Sequence, residues 1–474
     1  MQGSLIGLPR RLRSLVPLWI ALAPGLAGAA QLPEQPPSGQ QPPTTASTPQ
    51  EPATPELPPL VPRRRPHGAV FGPRAADAAA RQVLDLSVAL FGAYDDNALS
   101  GQGGGAARDP RLQVNGTFGG ATGNLSFTRR WRRMTLAATG MTAFRYYPDL
   151  TELSSASHNG TVGVVVNLTP RTVLSVGGGI GYSPYYSFAP LEGVNPGVPI
   201  GEMLGARPDL ALFSSPVVTT SATADLTHSF SQRSSFTLLG ARHRGDFAEG
   251  RSDLRDDRVG GRYERQLTRR LGLRLGYSYR RARPGGFVGA AVLLESHDAD
   301  VGFDYTRPLG RARRTMIGAS TGAAIVQRAD TETTYYRFLG SGFVSHQFGR
   351  SWEARADYRR ALQILEGLPE PYYADAFAAS LSGYLGRRVD VRATAGYTDG
   401  ELGIRRTARR LSAFNATGRV NLAVSQFVMV YSEYLFYHYR FVGAVALPEG
   451  FPPAFDRHGV RVGVMSWIPL ARAR

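Results

Sequence analysis

The sequence predicts an all-β protein: a transmembrane, antiparallel up-and-down β-barrel of about 18 strands (16–20), preceded by a disordered Pro-rich segment. Three observations carry this expectation. Apolar and polar residues alternate through most of the chain from Gln82 onward. Short polar turns recur about every 40 residues, and aromatic residues collect near the ends of the alternating runs.

The chain opens on an export signal. Arg10, Arg11 and Arg13 form a basic start, LVPLWIALAPGLA (15–27) an apolar core, and Ala27-Gly28-Ala29 a cleavage pattern, so residues 1–29 read as a secretory signal peptide. Residues 30–81 follow as a Pro/Gln/Thr-rich linker with too few large apolar groups to offset ordering entropy. A passive tether is the simplest reading of it, and a spacer or partner ligand the sharper one. Residues 82–474 remain as the barrel. No later segment reaches ~18 consecutive apolar residues, so a helical membrane domain is excluded.

The turns set the architecture. Short turns centre near Trp131, Pro170, Arg233, Arg269, Arg311, Gly349, Arg387 and Ser425, each between two alternating runs. The connections between these hairpins are longer and rich in Gly, Asp and Pro. One gap is wider than the rest and contains residues 188–215, which read as an inserted long loop and a candidate plug. One opening strand, a hairpin around each short turn and one closing strand (458–470) make about 18, an even number that puts both barrel termini at one end. In a bacterial barrel that end is periplasmic.

The runs have a period of two. Leu84, Leu86, Val88 and Leu90 oppose Asp85, Ser87 and Ala89. Val218, Ala222, Ala224 and Leu226 oppose Thr219, Ser221, Thr223, Asp225 and Thr227. In LTRRLGLRLGYSYRR (267–281), Leu271, Leu273, Leu275, Tyr277 and Tyr279 share one face, whereas Arg274, Ser278 and Arg280 share the other. Helical spacing would scatter both sets. MIGASTGAAIV (316–326) is small or apolar on both faces. FVMVYSEYLFYHYR (427–440) leaves two facings open: Tyr431, Glu433 and Tyr437 inward, or Ser432, His438 and Arg440 inward.

A soluble sandwich and a membrane barrel could both use such strands, with opposite faces meeting water. The barrel is favoured by small, mixed polar faces, by apolar faces without the density of a packed core, and by two aromatic bands. One band holds Tyr146/Tyr147, Tyr182/Tyr185/Tyr186, Tyr277/Tyr279, Tyr335/Tyr336, Tyr372/Tyr373 and Tyr437/Tyr439; the other holds Trp131, Phe230, Phe348, Trp352 and Phe427.

Little in the chain points to catalysis, and no catalytic residue is assigned. Gly318-Ala319-Ser320-Thr321-Gly322 matches G-x-S-x-G but lies mid-strand, without the strand-to-helix turn that exposes a nucleophile. GGGIGYSP (177–184) opens no helix and so is no phosphate cradle. The absence of cysteine and the scattering of the 8 histidines exclude a Cys-based site and supply no metal spacing, so neither a cofactor nor a metal is expected.

The formal net charge of +17 invites a nucleic-acid reading. The placement of the charges argues against it. All 54 basic residues are arginines, gathered in the leader, at turns and on the polar strand faces beside acids. Arg258, Arg262, Glu264, Arg274, Arg280, Asp298, Asp300, Asp304, Arg337, Glu353, Arg355, Asp357, Asp390, Arg392 and Arg419 are therefore expected to line a lumen. His297-Asp298 also reads as wall polarity. Mixed charges of this kind solvate a pore wall, and where arginine dominates they favour anions.

Gly92-Ala93-Tyr94-Asp95-Asp96-Asn97 closes the first strand. A first strand ending in Tyr-Asp-Asp-Asn after an exported leader resembles the outer-membrane β-barrel porins associated with bacterial exopolysaccharide gene clusters. The resemblance implies a passive conduit in outer-membrane lipid that passes secreted polysaccharide, beside a periplasmic polysaccharide-export protein. It would put Tyr94, Asp95, Asp96 and Asn97 near the external rim. A surface structural or adhesion barrel is the alternative, and an outer-membrane hydrolase with a site assembled across strands comes third.

Overall fold

Each alternating run becomes a strand, and each short turn joins two strands into a hairpin. The computed structural model describes residues 70–72, 80–97, 116–148, 154–187, 211–247, 253–283, 293–309, 315–328, 331–349, 351–364, 371–403, 409–443 and 453–473. In chain order the strands are β1 (Gln82–Asn97), β2 (Gly116–Arg130), β3 (Met134–Tyr146), β4 (Ser155–Thr169), β5 (Thr172–Ser187) and β6 (Ala211–Ser231). Next come β7 (Ser234–Phe247), β8 (Leu254–Gln266), β9 (Leu271–Arg283), β10 (Leu294–Leu309), β11 (Thr315–Arg328) and β12 (Thr331–Phe348). The last are β13 (Trp352–Ile364), β14 (Pro371–Leu385), β15 (Val389–Leu402), β16 (Arg410–Ala423), β17 (Val428–Val442) and β18 (Ala454–Ala473).

These strands form a single 18-stranded sheet in which sequence neighbours pair antiparallel, and β1 pairs with both β2 and β18. The β1–β18 ladder closes the sheet into an up-and-down barrel without an edge strand, as the repeating turns predict. The barrel termini meet at the short-turn end, where the Arg81 amide donates to the Ala473 carbonyl at 3.1 Å. At the same end the Gly72 amide donates to the Gln426 carbonyl at 2.8 Å, which ties residues 70–72 to the β16–β17 turn.

Four of the short turns share a local device. A Ser or Thr just before the turn accepts a hydrogen bond from the amide two residues on: Thr169 from Arg171, Ser231 from Arg233, Thr268 from Arg270 and Ser425 from Phe427. This bend is encoded within three residues and needs no tertiary help. The β12–β13 and β14–β15 turns instead use Gly349 (φ 61°) and Gly386 (φ 73°), a region in which a Cβ would be strained. The turn expected near Arg311 lies outside the described residues.

Side-chain exposure fixes the two faces. Leu90, Leu125, Phe144, Val162, Val176, Leu238, Val259, Leu275, Val301, Phe377, Val420, Val460, Val462 and Val464 are all exposed and stand in one outward register across successive strands. The inward face carries small and polar residues. Gly177, Gly179 and Gly181 of the glycine-rich run occupy it on β5, and a Cβ on Gly181 would stand 2.7 Å from Thr219 Oγ1. Pro184 coincides with a ladder shift between Ser183 and Tyr185, and Pro469 with one opposite Asp85; proline has no amide to give the ladder there.

The structure corrects several expectations. Strand β6 begins at Ala211, so the insertion expected over 188–215 is shorter, and residues 188–210 lie outside the described residues. The long-connection end does not carry a purely outward tyrosine band. Tyr146, Tyr277 and Tyr336 are exposed, but Tyr147, Tyr372, Tyr437 and Tyr439 are buried. Adjacent tyrosines point to opposite faces, so Tyr146/Tyr147, Tyr335/Tyr336 and Tyr372/Tyr373 each supply at most one girdle residue. Tyr277 and Tyr279, two apart, instead share the outward face, and Tyr437 and Tyr439 the inward one. At the other end Trp131, Phe230, Phe348 and Phe427 are exposed, as expected, and Trp352 stacks on Phe348. His297 faces outward, where its Nδ1 lies 2.7 Å from the Tyr277 hydroxyl, because it pairs with Tyr279 on the outward face of β9.

Candidate functional site: the inward wall

The choice that β17 left open is settled by packing. Tyr431, Glu433 and Tyr437 are buried on the inward face, whereas Tyr434 is exposed beside Val460 on the outward face. Glu433 then becomes the centre of a charged group. Its two carboxylate oxygens lie 3.5 Å from Arg419 Nη1 of β16 and 3.6 Å from Arg461 Nη1 of β18. The Arg419 guanidinium stacks 4.4 Å from the Tyr431 ring centroid, and that of Arg461 lies 5.2 Å from Phe91 of β1. Gly463 makes room for this layer, since a Cβ there would come within 2.7 Å of the Tyr431 ring. Arg419 Nε also donates to Asn421 at 2.8 Å, and Asn421 passes the contact to Asp390 at 3.0 Å, which Arg392 approaches at 3.3 Å.

A second charged group lines β8–β10. Arg280 is buried and makes a bidentate pair with Asp256 at 2.7 and 2.6 Å. Arg258 donates to Ser278 at 2.9 Å and lies 3.8 Å from Asp298. Arg262 faces Glu264 two residues along the same strand at 2.9 Å, and Arg274 is buried between them and Gly302, whose missing Cβ leaves space for its guanidinium. Bidentate pairing of this kind holds a guanidinium in one orientation.

A third group lies at the closing seam, near the short turns. Asp85 of β1 is buried, accepts a hydrogen bond from Trp467 Nε1 at 2.8 Å and lies 3.6 Å from Arg472. The Arg472 guanidinium covers the Trp467 ring at 5.0 Å. One carboxylate thus joins the first strand to the last.

The remaining expected residues are distributed as follows. Glu353, Arg355 and Asp357 share the inward register of β13, with Arg355 chelating Asp357 at 2.7–3.0 Å and stacking 4.8 Å from Phe343. Arg337 pairs with Glu401 of β15 at 3.6 Å and stacks on Tyr373 at 4.7 Å. The side chains of Asp300, Asp304, Asp95, Asp96 and Asn97 lie outside the described residues; Tyr94 is exposed on the outward face. Asp85, Asp256, Glu433 and Arg461 are contributors that the expected set omitted. For Arg461 the signal was present: Val460, Val462 and Val464 alternate with it and face outward. The Gly318–Gly322 match falls inside β11, where Ser320 Oγ lies 2.6 Å from Ser341 Oγ as a cross-strand pair.

The wall also narrows at the long-connection end. Leu254, Ala282, Leu294, Ala324 and Val326 form an inward apolar cluster with Leu362 of β13, against which Tyr335, Leu339 and Tyr373 pack. Leu362 and Tyr373 belong to the face of β13–β14 that carries exposed Phe377 lower down. The β12–β13 ladder runs only as far as Gly340–Arg360, while β12 pairs with β11 to Thr331 and β13 pairs with β14 to Ile364. The tops of β13 and β14 therefore step inside the line of β12, and the Tyr373 hydroxyl donates to the Phe338 carbonyl there.

No family model and no curated protein matches the chain. Among solved structures, the barrel superposes on Pseudomonas aeruginosa OccK2 (OpdF) with a TM-score of 0.42, 11% identity and coverage of 82% of this chain and 98% of that one. Acinetobacter baumannii OccAB4 gives 0.39, 10%, 82% and 99%, and the siderophore receptor PirA from Pseudomonas aeruginosa 0.40, 9%, 81% and 80%. Likeness at this level carries no argument about function.

Proposed function

We propose that the chain is an outer-membrane channel whose arginine-rich lumen passes an anionic solute, and that this solute is a secreted polysaccharide. The observation that carries the channel reading is the sorting of side chains across a closed barrel. Between the two ends of the barrel, exposed leucines, valines and phenylalanines cover the outer face and the charges lie on the inner one, outward charges being confined to the strand ends. In water this arrangement would leave a large apolar surface unpartnered; in a bilayer it matches both solvents. On β9 the outward run from Leu271 to Tyr279 would span roughly 20 Å along the membrane normal at a strand tilt of ~40°, close to the apolar height of about 25 Å for such barrels. Barrels of 16–18 strands enclose an aqueous lumen.

The short-turn end, with both barrel termini, is assigned to the periplasm, where an export protein would dock; the Tyr94–Asn97 end is assigned to the exterior. Arg258, Arg262, Arg274, Arg280, Arg337, Arg355, Arg392 and Arg419, with Arg461, give the lumen its anion preference, and the interleaved acids limit it. Planar-bilayer conductance of the purified barrel under a salt gradient tests the channel, with anion selectivity expected and absence of conductance refuting it. A deletion strain assayed for surface polysaccharide tests the solute; unchanged secretion refutes the export role.

A second reading, a surface structural or adhesion barrel, is favoured by the narrowing at the long-connection end and the buried tyrosines there. It expects no conductance, and loss of partner binding when the long connections are shortened.

A further inference from the structure

The outward face of β7–β9 changes character in steps toward the long-connection end. On β9 it reads Leu271, Leu273 and Leu275, then Tyr277 and Tyr279, then Arg281 and Arg283. The strands are in register, so the step repeats sideways. Arg244 of β7 pairs with Arg255 of β8, and Arg255 pairs with Arg283 of β9, which sets three outward arginines side by side in one row. The row beneath holds Arg242, Asp257, Arg281 and Glu295, with ion pairs of 3.4 Å (Arg242–Asp257) and 3.7 Å (Arg281–Glu295). Arg244 reaches Asp246 at 2.7 Å and Asp253 at 4.0 Å. Arg255 and Arg283 are exposed and, among the described residues, have no ion-pair partner.

Like charges directly opposite one another in a ladder are destabilising, and among the described residues no acid offsets the repulsion at Arg255 and Arg283. Elsewhere at this end the outward Arg360 and Arg410 each face an acid, Asp375 and Asp399. The row lies just above the Tyr277–Tyr279 level, at the height where the apolar band gives way to headgroups. We propose that Arg244, Arg255 and Arg283 bind the phosphates of an outer-leaflet phosphorylated glycolipid of the lipopolysaccharide class. Guanidinium groups bind phosphate oxygens bidentately, and a phosphate bridging two of them converts their repulsion into attraction. The row spans three strands, about 10 Å from first to last, wider than a single phosphate. The flanking carboxylates Asp246, Asp257 and Glu295 suit sugar hydroxyls. A headgroup carrying several phosphates and sugar hydroxyls fits this alternation better than a phospholipid with one phosphate.

The inference rests on the outer-membrane placement but not on conduction. The test uses the full chain, purified and refolded in detergent, titrated with lipopolysaccharide, with the same lipopolysaccharide after phosphate removal, and with phosphatidylglycerol. Retained lipid and the shift in thermal unfolding are read. The Arg255→Ser/Arg283→Ser variant is expected to bind lipopolysaccharide at least about tenfold more weakly, the size set by losing charge-assisted hydrogen bonds, while Arg360→Ser binds as the parent does. Phosphate removal is expected to weaken the parent as much as the double substitution. Equal binding of phosphatidylglycerol, unchanged binding by the double variant, or no effect of phosphate removal each overturns the proposal. Should the double variant fail to assemble, Arg283→Ser alone, at an exposed strand end, must still show the weaker binding. Conductance recorded on the same preparation separates this result from the channel reading: glycolipid binding without conductance would refute only the channel.

Discussion

An arginine placed at Val176 should cost far more than the same arginine placed one residue earlier. Val176 is 45% exposed on the outward face of β5, directly opposite Val164 and Ala224. It stands four residues above the start of the strand at Thr172, which at ~3.4 Å per residue and a tilt of ~40° is about 10 Å into the apolar band, near its middle. An arginine at that depth costs about 2–4 kcal/mol, or roughly 30-fold to 1,000-fold in the folding equilibrium. Ser175 faces inward beside Asp225, so its replacement by arginine meets water and a carboxylate and should change stability by less than about 1 kcal/mol. Urea titration of the barrel folded into lipid vesicles, followed by heat-modifiable gel mobility, reads both variants. Equal losses for Val176→Arg and Ser175→Arg would refute the facing and with it the membrane placement.

Three further outcomes follow from the inward groups. Asp85→Ala removes the acceptor of Trp467 Nε1 and the partner of Arg472, and should cost about 1–3 kcal/mol; adding Trp467→Phe should recover part of that loss in a double-mutant cycle. Glu433→Gln leaves Arg419 and Arg461 without their shared carboxylate, so the reversal potential under a salt gradient should move toward stronger anion selectivity, and a move toward cations would contradict the lumenal placement. Tyr372→Phe deletes the hydroxyl that donates to the Leu411 carbonyl at 2.9 Å, and a loss of about 0.5–1.5 kcal/mol in the same urea assay is expected.

The wall was most legible where both faces differ in chemistry. Leu271 to Arg280 declares its facing by alternation alone, and so does Thr219 to Thr227. β17 does not, because Tyr431, Tyr434 and Tyr437 are amphipathic enough for either side. There the decision came from the neighbouring strands: exposed Val460 and Val462 of β18 fix the register of Tyr434 and Ser432, and Glu433 is carried inward with the rest. The paired tyrosines misled for the same reason. A band drawn from sequence positions records height along the barrel and says nothing of inside and outside.

A period of two, turn chemistry held within three residues, and the even number of runs determined the strands, their order and the antiparallel connections. Those signals are local, so the sequence suffices for them. The pairing of Asp85 with Trp467 and Arg472, the bridging of Arg419 and Arg461 by Glu433, and the inward step of β13–β14 beneath β12 were decided only by the tertiary structure. The Asp85 group joins the first strand to the last and has no local signal, and the β13–β14 step packs into a cluster that reaches back to β8. The Glu433 bridge, although between neighbouring strands, required the inward facing of β17 that its own residues left open. The same holds for the row of Arg244, Arg255 and Arg283: each is an ordinary strand-end arginine in the sequence, and only the ladder register sets them side by side.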